Sequence, residues 1–539
     1  MSRRFILLFL SVAGILAYRL TLGVNFTDEA YYAAMALRFS QGDLPFVDEL
    51  FVHQTGATLI LPFVKTYLYF FGTTGLILYL RFLYWLFCLG LGGLIFYCLR
   101  TLDLRARGAA SLMALLFIPL YIPALSYNTL GAGLFAATLF LGFSYLREGG
   151  QLNWVAAMLC LALSEYAYPT LLAPGFLFLL LVFKAERKHF LWKAYFLCHL
   201  AVAIAFFPYV WNAGPGIIAS YVYTTEAHHH WGGIEKALAV ARFIIDSSLF
   251  PIVFAAYCTL AIGLRHRWFL PLFPLLLGLA FFKWNYSATW IFLHFALAAP
   301  ILYSIGPREK SDRELLHFVW LPSAAAGFLS GWMSASSAAN LTIGLWAGGM
   351  TSAFLLLRAW PRRVTSAALL STFLFSLFYG HVFYCDGEFS RLTRRVGSGP
   401  FRYLATTSEK IDYLEKITAD IRLLENEEGK IIFYEFPAGY LLSSMRIGVN
   451  SAWMRTESLG KLFYVRHYLA RASRNDLVFK LKILDHGFLS PVTYSSHDPF
   501  LKLLEESFDS VLETPLYDVF RPKAEAFPLK ITGLSTTRS

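Results

Sequence analysis

The sequence predicts a polytopic α-helical membrane protein that carries a small α/β soluble domain at its C-terminal end. Three observations predict this. The 539-residue chain is 57% hydrophobic and only 15% charged, whereas a soluble domain is nearer a quarter charged. Apolar runs of roughly the length that crosses a bilayer recur along the first 383 positions. From residue 384 onward the pattern changes to charged amphipathic segments and short β runs.

About 13 spans are predicted, at 5–24, 76–99, 108–126, 130–146, 153–167, 170–183, 190–209, 243–264, 268–283, 288–305, 315–333, 338–357 and 364–383. The connecting loops test this count. Basic residues follow every even-numbered span: Arg100, Arg105 and Arg107; Arg147; Lys184, Arg187 and Lys188; Arg265 and Arg267; Arg308, Lys310 and Arg313; Arg358, Arg362 and Arg363. Cytoplasmic loops carry such an excess. The odd exits are polar, aromatic or acidic, as in "NFTDEAYY", "EYAYPT" and "KWNYSATW". "MSRRFILLFLSVAG" reads as a retained first span whose Arg3 and Arg4 hold its start in the cytoplasm, so the tail emerges on the outer side.

The expected organisation is a membrane domain over 1–383, with a long first outer loop at about 25–75, and an extracytoplasmic α/β domain over 384–539. The net charge of +11 splits into +10 for the membrane part and +1 for the tail. That distribution suits basic cytoplasmic loops and not nucleic-acid binding. The six cysteines lie mostly inside apolar runs, with no Cys-x-x-Cys or Cys/His metal spacing.

In the first outer loop, "TDEAYYAAMALRFS" predicts an amphipathic helix with Thr27 as its N-cap and Asp28 and Glu29 in its first turn, where the helix dipole favours acids. "QGDLPF" breaks that helix. "ATLILPFVKTYLYFFG" predicts a second helix lying in the membrane interface, too short to span and carrying Lys65. In the tail, Ile411, Leu414, Ile417, Ile421 and Leu424 recur at helical spacing. "KIIFYEF" reads as a strand, "FPAGYLLSSMRIG" as a short helix ending at Gly448, and "DSVLETPLYDVFRPK" as a closing hairpin.

Five of the 15 acids in the first 383 residues fall between Asp28 and Glu49: Asp28, Glu29, Asp43, Asp48 and Glu49. His53 follows closely. Charge near a bilayer is expensive and points to chemistry. Solvated loop acids and helix-start acids are the plain reading of the same residues. Arg81 stands at the mouth of the second span, and Glu165 at the outer end of the fifth. Site lining and pairing with a basic residue are both open for Glu165. "HHHWGG" at 228–233 lacks a spaced third ligand type for a tight metal site.

The order of these parts, with "DEAYYAAMALRF", "GDLPFVD" and "HQTG" between the first two spans and Arg81 after them, resembles the GT-C superfamily of membrane glycosyltransferases. It is closest to the branch of protein O-mannosyltransferases and the lipid A aminoarabinose transferase. Members often show a Pro-Pro pair at the "HQTG" position, which this chain lacks. The resemblance implies a polyprenyl-phosphate-sugar donor and transfer with inversion to an acceptor hydroxyl of a lipid, glycan or protein. An outward tail without paired cysteines points to the periplasmic face of a bacterial inner membrane, with an endoplasmic-reticulum membrane as the alternative. The resemblance also implies Asp28 as general base, with Glu29 as its partner. Asp48 is a candidate for binding acceptor or a divalent cation, and His53, Lys65, Arg81 and Lys283 for balancing the leaving phosphate. Phe436, Pro437 and Tyr440 are candidates for a lid over the site. The competing reading is a transporter or flippase, which Glu165 and the helix-breaking "YPTLLAPG" favour.

Overall fold

The computed structural model describes residues 3–246 apart from 117, 119–121, 187–188, 212 and 228–233, and then a few positions between 255 and 276. It also describes 288–359 apart from 335–339, and 382–529 apart from 384–385, 456–460, 486 and 527–528. The chain divides into two compact units. One comprises Met1–Leu20, Arg81–Phe207 and His230–Val382; the other comprises Thr21–Leu80, Pro208–His229 and Phe383–Ser539. The first outer loop therefore shares a unit with the tail.

The first four helices are α1 (Arg3–Arg19), α2 (Asp28–Ser40), α3 (Thr55–Phe71) and α4 (Leu76–Cys98). α2 and α3 belong to the other unit; the helical unit holds α1 and most of α4 and continues with Leu104–Leu116, Tyr127–Glu148, Gln151–Ala167, Leu172–Ala185, His189–Val210, Ile234–Asp246, Ala288–Leu297, Ala299–Ile305, Lys310–Leu315, Leu321–Trp332, Leu341–Gly344 and Trp346–Ala359. Most follow the predicted spans where the chain is described, but the span expected at 108–126 is helical only as far as Leu116, and that expected at 243–264 meets Ile234–Asp246 only at 243–246. The expected spans at 268–283 and 364–383 lie almost wholly outside the described residues. Among the described residues three helices are long and apolar enough to cross a membrane: Leu76–Cys98, Tyr127–Glu148 and Leu191–Tyr209. Phe196, Leu197, Leu200 and Ile204 are each more than half exposed, the outward apolar surface a lipid-facing helix presents.

Local chemistry sets the helix ends. Ser126 and Thr129 form a capping box at the start of Tyr127–Glu148, and Gly149 ends that helix at φ +74°. The left-handed residue turns the chain straight into Gln151–Ala167, which packs along its predecessor. Trp346–Ala359 packs against Leu104–Leu116, Ala288–Leu297 and Ala299–Ile305. Gly349 permits this closeness, since a Cβ there would lie 2.4 Å from the Phe292 ring.

The other unit is built on a five-stranded sheet: β1 (Lys430–Tyr434), β2 (Arg446–Ile447), β3 (Leu477–Leu481), β4 (Phe508–Glu513) and β5 (Tyr517–Pro522), in the order β4-β5-β3-β1-β2. β1 runs parallel to β2 and β3, while β5 is antiparallel to β3 and β4. Ile431, Ile432, Phe433 and Tyr434 are all fully buried, as expected of a central parallel strand covered on both faces. The predicted tail helix spans Ser408–Leu424, and the predicted hairpin is β4–β5. The expected helix up to Gly448 is only Gly439–Leu442; Arg446–Ile447 is strand, paired with β1.

Two expectations for the outer loop are corrected here. α2 is not a surface amphipathic helix: every residue from Glu29 to Phe39 is buried, because α3 and Gly439–Leu442 cover it. Thr27 occupies the N-cap position but its side chain caps nothing. α3 forms as expected, buried along its first half and exposed at Tyr69, Phe70 and Phe71.

Candidate active site

The acidic pair is held by a strand-like stretch that the tail grips. Gly23 N–H donates to Ala405 O at 2.8 Å, and Ala405 N–H donates to Thr21 O at 2.7 Å. Asp386 accepts Val24 N–H at 2.5 Å and the Thr406 hydroxyl at 2.9 Å through Oδ2. Its Oδ1 lies 2.5 Å from Lys410 Nζ, which also donates to Val24 O at 2.7 Å. Both charged side chains are almost wholly buried. A buried pair needs supporting hydrogen bonds, and Val24 N–H and the Thr406 hydroxyl supply them at Oδ2.

Phe26 extends this grip. Its ring meets Phe401, Tyr413 and Phe436 at centroid distances of 5.7, 6.0 and 5.5 Å, and its carbonyl accepts Ala438 N–H at 3.1 Å. Phe436 and Tyr440 are thus core residues that back the stretch, not an exposed lid. Asn25, between the two anchors, supplies the helix cap that Thr27 does not. Its Oδ1 accepts Thr27 N–H at 2.9 Å and Glu29 N–H at 3.3 Å. Asp28 opens α2 half-buried, and Glu29 beside it is 1% exposed.

The far end of α2 is fixed by Arg38. Nε donates to Asp43 and Nη1 to Glu49, each at 2.9 Å, and Nη2 donates to Val449 O at 3.1 Å. Glu49 is 0% exposed and also accepts Ala452 N–H at 2.8 Å and Phe51 N–H at 3.3 Å. Burial pushes its carboxyl above the ordinary carboxylate range, with Arg38 and the two N–H groups pulling against it. Asp48 accepts Leu44 N–H at 2.8 Å and pairs with Arg471. Burial opposes its charge, but Arg471 and the Leu44 N–H outweigh it and hold the carboxyl low. Asp48 and Glu49 thus tie the loop down, and both oxygens of each carboxylate are engaged. Arg471 Nη1 also donates to His467 Nε2 at 3.3 Å.

One turn along α2 from Asp28, the Tyr31 ring meets Tyr32, Phe51 and Trp453, each at 5.6 Å. His53 touches the Phe51 ring at 5.1 Å. Trp453 Nε1 donates to Glu435 at 3.1 Å, and Arg455 lies over the Trp453 ring at 5.1 Å. Asp28, Glu29, His53 and this aromatic group share one unit. Lys65 belongs to the same unit, exposed on α3.

Arg81 and Glu165 belong to the helical unit. Arg81 is buried and donates from Nη1 to Leu20 O at 2.8 Å, just past the end of α1. Glu165 pairs with His199 Nε2 at 2.8 Å, and a Cβ on Gly175 would lie 2.4 Å from its Oε1. Between site lining and a pair with a basic residue, the geometry gives the pair. Lys283 and the histidines at 228–230 lie outside the described residues. Among the described residues no group of three or more His, Cys, Asp or Glu stands in reach of one metal ion.

Sequence reasoning missed Asn25, Arg38, Asp386, Lys410, Trp453 and Arg471. Arg38 carried a signal: an arginine in the apolar second half of α2, 11 positions from the acidic Glu49 it binds.

No family model matches the sequence, and no curated protein does. The structure is similar to the crystal structure of ArnT from Cupriavidus metallidurans in the apo state, at 14% identity and a TM-score of 0.41, covering 96% of this chain and 98% of that one. It is also similar to ArnT from the same organism bound to undecaprenyl phosphate, at 14% identity and a TM-score of 0.44, covering 97% and 99%.

Proposed function

We propose that the chain is a membrane glycosyltransferase that moves a sugar from a polyprenyl-phosphate-linked donor to an acceptor hydroxyl at the outer face of the membrane. One observation carries the reading: Asp28 opens a buried helix whose entry stretch is clamped by a buried ion pair and a side-chain cap. Asp28 takes the proton from the acceptor hydroxyl as its oxygen attacks the anomeric carbon. The bond from that carbon to the phosphate oxygen breaks, and the polyprenyl phosphate leaves with the electron pair. One-step displacement inverts the anomeric centre.

Glu29 orients the first turn of α2. Phe51 and Trp453, both part-exposed, offer ring surface to the apolar side of a sugar, with buried Tyr31 packed behind them and Arg455 beside Trp453 as a polar group. Lys65 and His53 are the basic candidates for the leaving phosphate in this unit. Asp48 does not fit the role of cation ligand, since both its oxygens are engaged. The basic even-numbered loops support an outer location for this unit, and we take a bacterial inner membrane as its home.

The test is transfer by the purified chain from a panel of polyprenyl-phosphate sugars, with and without Asp28→Asn. The transporter reading keeps one specific observation, the Glu165–His199 pair inside the helical unit. It predicts loss of uptake in Glu165→Ala with Asp28→Asn silent.

A further inference from the structure

A second site lies in the sheet-bearing unit. Thr73 and Thr74 form the turn between α3 and α4, and the loop 397–402 packs against that turn. Gly75 N–H donates to Gly399 O at 2.9 Å and Ile77 N–H to Pro400 O at 3.2 Å. Leu76 N–H donates to Thr73 O at 3.1 Å, and the Tyr67 hydroxyl to Thr74 O at 2.5 Å. Gly75 and Gly399 sit at φ +74° and +71°, the left-handed region that glycine enters without strain. These bonds occupy the carbonyls of Thr73, Thr74, Gly399 and Pro400.

A cavity of about 240 Å³ opens there, between the turn, the loop and the helix Ser408–Leu424. Arg402 and Arg422 line it together with the hydroxyl-bearing residues Thr73, Thr74, Ser398 and Thr418, and none of its lining residues is acidic. Thr418 and Arg422 stand four apart on one helix face. Among the described residues neither arginine has a carboxylate partner. Two guanidinium groups among hydroxyls form a donor set for phosphate. Drug-sized ligands occupy pockets of about 300–1,000 Å³, so this cavity takes a smaller group.

The surroundings fix the depth. α4 is long and apolar enough to cross a membrane and begins at Leu76, directly after the turn. Tyr69, Phe70 and Phe71, at the end of α3, are 84%, 67% and 63% exposed, and Tyr403 beside Arg402 is 51% exposed. Exposed aromatic side chains at the mouth of a span belong at headgroup level, where an amphipathic ring is half wet and half apolar. The arginines and the rings thus stand where lipid phosphates stand.

We propose that this cavity binds the phosphate of an anionic phospholipid headgroup, while Tyr69, Phe70 and Phe71 enter the acyl boundary. The site does not depend on the transferase reading and is separate from the residues assigned to it. Its role is to hold the α3–α4 turn at the membrane surface.

The test uses the full chain purified in neutral detergent. Binding of dioctanoyl phosphatidylglycerol, dioctanoyl phosphatidylcholine and inorganic phosphate is measured on wild type, Arg402→Gln/Arg422→Gln and Phe70→Ser/Phe71→Ser. Wild type is expected to bind phosphatidylglycerol saturably. Removing both guanidinium groups is expected to weaken that binding by at least about tenfold, the effect of one charge-assisted hydrogen bond. Phosphatidylcholine and inorganic phosphate are expected to bind wild type at least about tenfold more weakly than phosphatidylglycerol. The Phe70→Ser/Phe71→Ser variant is expected to lose affinity for the lipid and keep its affinity for inorganic phosphate. Unchanged lipid binding in the arginine variant overturns the proposal. So does equal affinity for phosphatidylcholine, or inorganic phosphate binding as tightly as the lipid. Sugar transfer is a separate readout, so failure here is distinguishable from failure of the transferase reading.

Discussion

Lys410 Nζ lies 2.5 Å from Asp386 Oδ1, and the same amine donates to Val24 O at 2.7 Å. Two residues of the tail, 24 positions apart, thus hold a backbone stretch that precedes them by more than 360. The stretch ends at Asp28. The tail domain is therefore part of the device that positions the acidic pair, and its role is written in buried charge.

Breaking this pair from one side is expected to be severe. Lys410→Met leaves Asp386 buried with only Val24 N–H and the Thr406 hydroxyl. A loss of about 3–5 kcal/mol in unfolding free energy is expected, the usual cost of an uncompensated buried charge. The double variant Asp386→Leu/Lys410→Met is expected to recover much of that stability but not transfer, since Val24 is no longer gripped. Denaturant unfolding and a turnover assay check both halves.

Arg38 offers a second test. Arg38→Leu removes the side chain that neutralises Glu49 at 0% exposure. A destabilisation of about 3–5 kcal/mol is expected, and Arg38→Leu/Glu49→Leu is expected to be milder than the single change. Equal unfolding midpoints for the two variants would contradict the assignment.

Acid sensitivity follows from His467. Burial, with the charges of Arg471, Arg38 and Lys430, pushes its pKa from 6.5 down to about 4, while Asp48 pulls the other way. The unfolded chain therefore binds a proton that the folded chain does not across this interval, and stability falls as pH drops from about 6.5 to about 4. Asp48 adds to the loss at lower pH, because its depressed carboxyl must protonate. His467→Gln is expected to flatten the dependence between those two limits, measured as thermal midpoint against pH. A wild-type midpoint that holds constant through that interval would contradict the burial of a neutral imidazole.

The cap is a smaller effect. Asn25→Ala removes the acceptor for Thr27 N–H and Glu29 N–H, with an expected cost of about 0.5–2 kcal/mol. Asn25→Asp, which keeps an acceptor oxygen, is expected to retain most of the stability in the same unfolding measurement.

The helical architecture was legible because span length and hydropathy are set locally. The predicted spans coincide with helices such as Leu76–Cys98 and Tyr127–Glu148 to within a few residues. The strand "KIIFYEF" and the closing hairpin were legible for the same reason. The grip on residues 21–26 was not, since it joins Val24 to Asp386 and Lys410 across 362 and 386 positions. No local pattern encodes such a contact. The burial of α2 was hidden too: Asp28, Glu29 and Arg38 give it an amphipathic look, and only the tail shows that Arg38 is spent on Glu49 and Val449. Asp28 stands out in the sequence because a carboxylate beside an apolar span is rare enough to ask for a reason, and its role rests on the turnover test below.

The most direct test is turnover by the purified chain with polyprenyl-phosphate sugars, comparing wild type with Asp28→Asn at matched thermal stability. The account predicts a fall of about 10²–10⁴-fold, the usual contribution of a general base, with donor binding retained. Turnover equal to wild type in Asp28→Asn would contradict it.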